Sequence, residues 1–327
     1  MMTSVLVTGG AGFIGSHACK ALSRAGYRPI AYDSLETGHR DAVLWGPLVV
    51  GDIADRALLG AAIATHRPVA IMHFAAYAYV GESVREPARY YRNNVGGTLA
   101  LLETAASHGV EHIVFSSSCA TYGVPDAMPI LETTPQRPIN PYGRTKLIGE
   151  VMLRDFCSSG AMRHVALRYF NAAGADPEGA LAERHDPETH LIPRALMAAA
   201  GAIPALEIFG GDYPTPDGTC IRDYIHVSDL ADAHVAALDY LLAGGSSTAL
   251  NIGTGTGHSV RDILSGIEAL TGRAVPSILH PRRAGDPPML VADPRRAREI
   301  LGFSPRHSDL GTILATAARS FGLRRAA

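Results

Sequence analysis

Tyr142 and Lys146 stand four residues apart in Asn140-Pro141-Tyr142-Gly143-Arg144-Thr145-Lys146, which reads as a helix cap, a first-turn proline and a helix. That spacing puts both side chains on one helix face. A phenol with a pKa of about 10 is a poor base at neutral pH, and an ammonium beside it favours the phenolate. The pair is a candidate base with its activator, although Tyr-x-x-x-Lys alone is also an ordinary helix-surface pair. Phe115-Ser116-Ser117-Ser118 adds a strand that ends in a serine turn. There Ser118 could hold a substrate hydroxyl and share a proton with Tyr142, since the carboxyl ends of strands carry the site in open α/β sheets.

A second group would bind rather than react. In Thr8-Gly9-Gly10-Ala11-Gly12-Phe13-Ile14-Gly15, the glycines Gly9, Gly12 and Gly15 follow an apolar run and open a helix. Glycines in that place allow a tight turn and let backbone N–H groups approach a pyrophosphate. Asp33 ends the next apolar run, 18 residues beyond Gly15. A carboxylate there accepts hydrogen bonds from ribose hydroxyls and repels a 2′-phosphate, which favours NAD over NADP. Asp52 and Ile53 follow the third run and could reach an adenine, while Asp52 is equally suited to cap a helix starting near Ala54. His73 lies inside an apolar run and reads as a core residue; no metal-ligand spacing stands out, so no metal is expected.

The elements that must position these residues are written as short apolar runs at Val5–Val7, Pro29–Tyr32, Leu48–Val50, Ala70–Phe74, His112–Phe115 and His164–Leu167. Such runs read as buried parallel strands. Helix-length segments lie between them, such as Tyr90 to His108, where Val95, Leu99, Leu102 and Ala106 would share one face. Alternating strand and helix predicts an α/β, doubly wound parallel (Rossmann) sheet. After Gly174 the chain turns to loops rich in Pro, Gly and Asp. We therefore expect a dinucleotide-binding domain over 1–174, with a return at about 227–255, and a smaller α/β substrate domain over 175–327. Ile313, Leu314, Ala317 and Phe321 predict a surface-packing helix near the end.

Composition excludes several classes. With 327 residues, 47% hydrophobic and 18% charged, the chain is globular rather than disordered. Twenty-nine Lys and Arg against 31 Asp and Glu give a net charge of −2, with no general pull toward nucleic acid or an anionic membrane. Four scattered cysteines form neither a disulfide framework nor a Cys-x-x-Cys motif. No basic n-region and no long apolar stretch is present, so a cytoplasmic protein is expected.

Taken together, these motifs resemble the extended short-chain dehydrogenases/reductases, and among them the UDP-glucose 4-epimerase family. The resemblance runs nearly the full length, through Val7 to His17, Gly51-Asp52-Ile53, His73 to Ala76, Val80 to Ser83, Asn93-Asn94-Val95 and Arg168 to Asn171. The more specific stretches are Gly218-Thr219, Arg222-Asp223-Tyr224-Ile225-His226-Val227 and Arg282-Arg283 with Gly285-Asp286. The resemblance implies that Phe13, Ile14, Asp33, Asp52, Ile53, Phe74, Asn94, Lys146 and Phe170 contact NAD. It implies that Ser118, Tyr142, Asn171, Leu191, Phe209, Arg222, Arg283 and Asp286 contact a UDP-sugar, and that the enzyme is a homodimer. Guanidinium forks suit a pyrophosphate. By the same resemblance, the side chain at Leu290 can wall off the sugar 2-position; a plain core-strand role for Leu290 stays open.

Some positions depart from the family pattern. Ala78 stands where many members carry a lysine, Ala120 lacks a frequent hydroxyl, and His190 replaces a frequent asparagine. The implied chemistry is inversion at sugar C4 through a 4-keto intermediate, with Tyr142 as base and NAD taking and returning hydride. A UDP-pentose 4-epimerase is the nearest alternative. A nucleotide-sugar dehydratase would usually carry Asp-Glu where this chain has Cys119-Ala120. A decarboxylase and a non-catalytic NAD-sensing module stand further off.

Overall fold

The computed structural model describes residues 2–158, 160–283 and 286–323. Its strands are β1 (Ser4–Thr8), β2 (Arg28–Asp33), β3 (Leu48–Val50), β4 (Ala70–His73), β5 (His112–Ser116), β6 (Arg163–Tyr169) and β7 (Asn171–Ala173). They continue as β8 (Leu206–Phe209), β9 (Ile221–His226), β10 (Thr248–Ile252), β11 (Gly257–Ser259), β12 (Ser277–His280) and β13 (Met289–Leu290). The helices are α1 (Phe13–Arg24), α2 (Arg56–His66), α3 (Val80–Arg85), α4 (Pro87–Tyr90), α5 (Thr98–Ser107) and α6 (Pro141–Cys157). After them come α7 (Leu191–Ala200), α8 (Val227–Leu242), α9 (Val260–Thr271), α10 (Arg295–Leu301) and α11 (Leu310–Arg319).

Seven strands form one parallel sheet in the order β10-β6-β5-β4-β1-β2-β3. The apolar runs read from the sequence make up its middle because both faces are covered. Ala18, Cys19 and Leu22 of α1 pack with Leu230, Ala237 and Leu238 of α8 on one face. On the other face, Leu59 of α2, Leu101 and Leu102 of α5 and Leu153 of α6 close over Leu6, Ile71 and Ile113. The strand order reverses between β1 and β4, and the carboxyl ends of that pair open the crevice where such sheets bind ligands.

A second group of strands centres on β9, which pairs with β7, β11 and β13, while β8 pairs with β12. Ile192 and Leu196 of α7, Ile263 and Ile267 of α9 and Ile313 and Leu314 of α11 build its own core. The helix expected near the end is thus α11, and residues 324–327 lie outside the described part. Among the described residues, no helix is long and apolar enough to cross a membrane.

Two local expectations differ from the structure. Between α4 and α5 the chain makes a π-helical turn over Tyr91–Gly97, and the inward face carries Asn94, Gly97, Thr98, Leu101 and Ala105. Leu99 and Ala106 point outward instead. Leu102 is buried as well and Val95 is half-buried, so of the four residues expected to share a face only two turn out to solvent; the inward face combines apolar Leu101, Leu102 and Ala105 with Asn94 and Thr98, which hydrogen bonds satisfy. Asp52 does not cap the following helix: Asp55 does, accepting from Leu58 N at 3.0 Å, while Asp52 accepts from Ala54 N at 2.8 Å in a local turn.

Candidate active site

The glycine turn links β1 to α1 at the crevice. Gly9 has φ +72° and its N–H donates to the Tyr32 carbonyl at 2.8 Å. A Cβ there would sit 2.7 Å from Ala75 N, so the loop leaving β4 approaches as closely as it does only because the residue is glycine. A Cβ on Gly15 would overlap the Gly9 carbonyl oxygen. Gly12 precedes α1 without a side-chain cap, and the first turn carries no acid. The leading N–H groups and the positive end of the helix dipole are left for an anion.

Asp33 is buried at the end of β2, its Oδ2 accepting from Ala11 N at 2.9 Å and its Oδ1 from Leu35 N at 2.8 Å. A carboxylate has further lone pairs for two ribose hydroxyls. Phe13 and Ile14 are half-buried at the start of α1, Ile53 is buried behind the exposed Asp52, and the Phe74 ring lies 4.6 Å from that of His234. An uncapped helix start, a turn with no room for side chains and a carboxylate at the next strand end fit a dinucleotide such as NAD.

The reactive group lies where β5 and α6 meet. Asn140 caps α6 by accepting from Gly143 N at 2.8 Å, and Tyr142 N donates to Ser83 Oγ at 3.2 Å. The Ser118 side chain accepts from Ala120 N at 3.1 Å and stands near enough to the Tyr142 phenol to draw its pKa down. Lys146 Nζ donates to the Ser116 carbonyl at 2.7 Å and lies 5.9 Å from the centre of the Tyr142 ring. All three side chains are buried. Burial pushes the Lys146 ammonium down to about 7. Burial, with Tyr169 nearby, holds the Tyr142 phenol well above its ordinary value, against a downward pull from Ser118. The protein by itself therefore keeps the phenol protonated, and a cation brought in beside it would release the proton.

Several residues that hold this group had no chemical signature. His73 bridges Thr8 Oγ1 at 2.7 Å and Thr98 Oγ1 at 2.9 Å, a satisfied core histidine that burial pushes down to about 3. Asn94 spends all its hydrogen-bonding capacity inside the protein: Oδ1 accepts from Tyr77 N and Asn93 Nδ2, and Nδ2 donates to Tyr77 O and Thr145 Oγ1. It ties the loop after β4 to α6. Behind Ser117, the buried Glu150 takes a two-pronged bond from Arg168 at 2.9 and 2.7 Å. Burial alone would raise the Glu150 carboxyl, and the bonds from Arg168, Ser117 and Gln136 more than offset it.

The residues expected on the UDP-sugar side cluster around β9. Arg222 pairs with Asp286 at 2.5 Å, and Asn171 Nδ2 donates to the Asp223 carbonyl at 3.0 Å. Arg283 lies 3.8 Å over the Phe209 ring and, among the described residues, has no carboxylate partner. Its N–H edge remains available for phosphate. Leu191 opens α7. Leu290 pairs in register with Arg222 and packs with Phe170, Tyr122 and Ile130, so a core role is what its contacts show directly. Asp223, which the sequence reading passed over, accepts from Thr254 N, Gly255 N and Ala292 N and splices β9 to the segments after β10 and β13. Gly285 lies outside the described residues.

Sequence spacing offered no metal-ligand group, but the fold assembles a cluster of suitable side chains. Glu183, His185, Glu188 and His190 bring one ligand atom each to within 4.8 Å of one another. Their spacing belongs to a folded-back loop rather than to a helix or a cysteine-histidine motif, which is why no pattern stood out.

The profile of the NAD dependent epimerase/dehydratase family matches residues 5–253. A UDP-glucose 4-epimerase of Rhizobium leguminosarum bv. trifolii is 54% identical over 314 residues, 96% of this chain and 96% of that one. The solved UDP-glucose 4-epimerase of Brucella ovis in complex with NAD is 59% identical, covers 99% of this chain and 100% of its own, and superposes with a TM-score of 0.97. A UDP-glucose 4-epimerase from Stenotrophomonas maltophila, solved with NAD and formylated UDP-arabinopyranose, is 41% identical with a TM-score of 0.95, covering 98% of both chains. The family profile spans most of the sequence and these relatives span nearly all of it, so the chain belongs to the NAD dependent epimerase/dehydratase family, on its UDP-glucose 4-epimerase branch.

Proposed function

We propose that this chain interconverts UDP-glucose and UDP-galactose by inverting C4 of the sugar. The observation that carries the reading is the buried Tyr142 phenol, close to Ser118 and beside Lys146, at the same crevice as the uncapped glycine turn. Relatives at this level of identity, solved with NAD, support the cofactor.

The glycine turn, Asp33 and Lys146 would hold NAD, which would supply reversible hydride transfer at sugar C4 and a positive charge beside Tyr142. Tyr142 takes the proton of the 4-hydroxyl and later returns it. Ser118 holds that hydroxyl against the phenol, so the proton crosses a short, dry path. Lys146, anchored by the Ser116 carbonyl, keeps its amino group beside the phenol and would donate to a ribose hydroxyl of the cofactor. One hydride and one proton leave C4 and its oxygen, and both come back, so no outside oxidant is consumed. Inversion requires that the 4-keto sugar turn without escaping. Arg222 and Arg283 suit the pyrophosphate anchor, with Asp286 orienting Arg222.

The test is direct: purified protein, with no cofactor added, is incubated separately with UDP-galactose, UDP-arabinopyranose and UDP-N-acetylgalactosamine. The expected result is NAD released on denaturation and UDP-glucose formed from UDP-galactose. Activity that appears only with stoichiometric consumption of NADP would overturn the reading.

Two finer statements belong to the same proposal. Four free cysteines suit a reducing cytoplasm. Leu99 of α5 and Val151 of α6 leave 40% of their surface exposed on neighbouring helices, which suits an isologous homodimer.

A further inference from the structure

Between β7 and α7 the chain folds back on itself so that Glu183, His185, Glu188 and His190 face a common centre. Glu183 Oε1 lies 3.2 Å from His185 Nδ1 and 2.8 Å from His190 Nδ1. Glu188 closes the ring, with Oε2 at 3.4 Å from His185 Nδ1 and Oε1 at 3.2 Å from His190 Nδ1. Four ligands at about 2.0–2.1 Å from a tetrahedral ion stand about 3.3 Å apart; the four imidazole–carboxylate separations are near that value, and one ligand atom from each residue lies within 4.8 Å of the others, so the group has only to draw together slightly around an ion. His185 Nδ1 adds an independent observation. It is buried and close to two carboxylate oxygens, yet it lacks the alignment of a hydrogen bond to either.

We propose that these four residues form a binding site for one divalent transition ion, with Zn2+ as the best fit. Two imidazole nitrogens favour zinc and its neighbours, and two carboxylates balance the double positive charge. Calcium and magnesium are poorly served, because they prefer six or more oxygen ligands. Both glutamates are nearly buried and His185 is mostly so, which removes most of the competing water.

The site would act as a clasp. The loop that carries it lies against Phe13 of the glycine turn, whose ring is 6.2 Å from that of His185, and against Tyr79. Arg184 within the loop pairs with Asp41, and its carbonyl accepts from His39 Nε2 at 3.0 Å. His190 immediately precedes α7. An ion here fixes the loop between the dinucleotide turn and the first helix of the second strand group. No step of the proposed reaction passes through it, so the inference stands apart from the functional reading.

The experiment uses the full chain, treated with a chelator and dialysed free of it, with ZnCl2 and CoCl2 as probes. Calorimetry should show one tight equivalent of Zn2+, and Co2+ should give the intense visible bands of a four-coordinate nitrogen and oxygen site. His185→Gln and Glu183→Gln should each weaken Zn2+ binding by about 100-fold or more while circular dichroism and retained NAD are unchanged. His190→Gln, at the most exposed ligand, provides a second variant should either of the others misfold. Absence of saturable Zn2+ binding would overturn the proposal, leaving the cluster as a box of imidazolium–carboxylate pairs. Equal affinity in wild type and variants, or a six-coordinate Co2+ spectrum, would overturn it as well.

Discussion

At the scale of residues, two side chains carry opposing electrostatic demands. Lys146 loses its charge readily in the dry interior, its pKa pushed down to about 7, while the same burial keeps the Tyr142 phenol protonated. Tyr142→Phe deletes the base and keeps the ring, so turnover should fall by about two to four orders of magnitude with UDP affinity by calorimetry nearly intact. Lys146→Ala should damage turnover and NAD retention together. A Phe variant with near-normal turnover would reject Tyr142 as the base. Lys146 also gives a pH signature in protein freed of NAD. Its folded pKa lies below the unfolded value of about 10.4, so between the two the unfolded chain holds more protons and stability rises with pH. Below about 7 both states carry the proton and the full cost of burying it remains. Lys146→Met should accordingly raise the melting temperature more at about pH 6 than at about pH 9; an equal shift at both would contradict the depressed value. Tyr142 and Lys146 were legible because an i,i+4 pair announces itself. Asn94 stood out only through the family resemblance and Thr98 not at all, because residues that work through backbone hydrogen bonds resemble any other polar residues in a helix.

At the scale of elements, the strands were legible and the faces less so. Continuous apolar runs gave six of the seven strands in the large sheet as buried and parallel, and the seventh, β10, lies within the return expected at about 227–255. The π-helical turn before α5 escaped notice because the side chains facing inward there include Asn94 and Thr98. Alternation along β9 explains the mixed outcome in Arg222-Asp223: successive side chains point to opposite faces, so one meets Asp286 while the other splices neighbouring segments. The β13 strand places Leu290 opposite Arg222, at the edge of the pocket the arginine would serve, while packing it against Phe170. If Leu290 also limits the sugar 2-position, Leu290→Ser should raise kcat/KM for UDP-N-acetylgalactosamine far more than for UDP-galactose. Some loss of stability, about 2–4 kcal/mol, should accompany the change, since a buried leucine is replaced by a small polar side chain. An unchanged ratio of the two efficiencies places specificity elsewhere.

At the scale of the whole molecule, association is the property the isolated chain implies least directly. Leu99 and Val151 face outward from α5 and α6, and α6 is the helix that carries Tyr142 and Lys146. A two-fold interface there would stiffen the scaffold of the base without touching it. Sedimentation velocity should give twice the chain mass for the wild type, and Leu99→Glu with Val151→Glu should move it toward the monomer. A wild-type protein that sediments as a monomer at micromolar concentration would reject the interface. Sequence alone could not locate it, because the residues of α5 expected to share one face divide between the core, as Leu102 does, and the surface, as Leu99 does.

The place of β10 has a consequence for how the molecule is made. β6 ends at Tyr169, but its outer neighbour in the sheet begins only at Thr248. During synthesis those intervening residues, roughly 80 at about 5–20 per second, take roughly 4–16 seconds. For that interval the nascent sheet presents a raw strand edge, an invitation to pair with another unfinished chain. A stop codon anywhere between 175 and 247 freezes the molecule in that state, so early termination yields a sticky fragment rather than a smaller working domain.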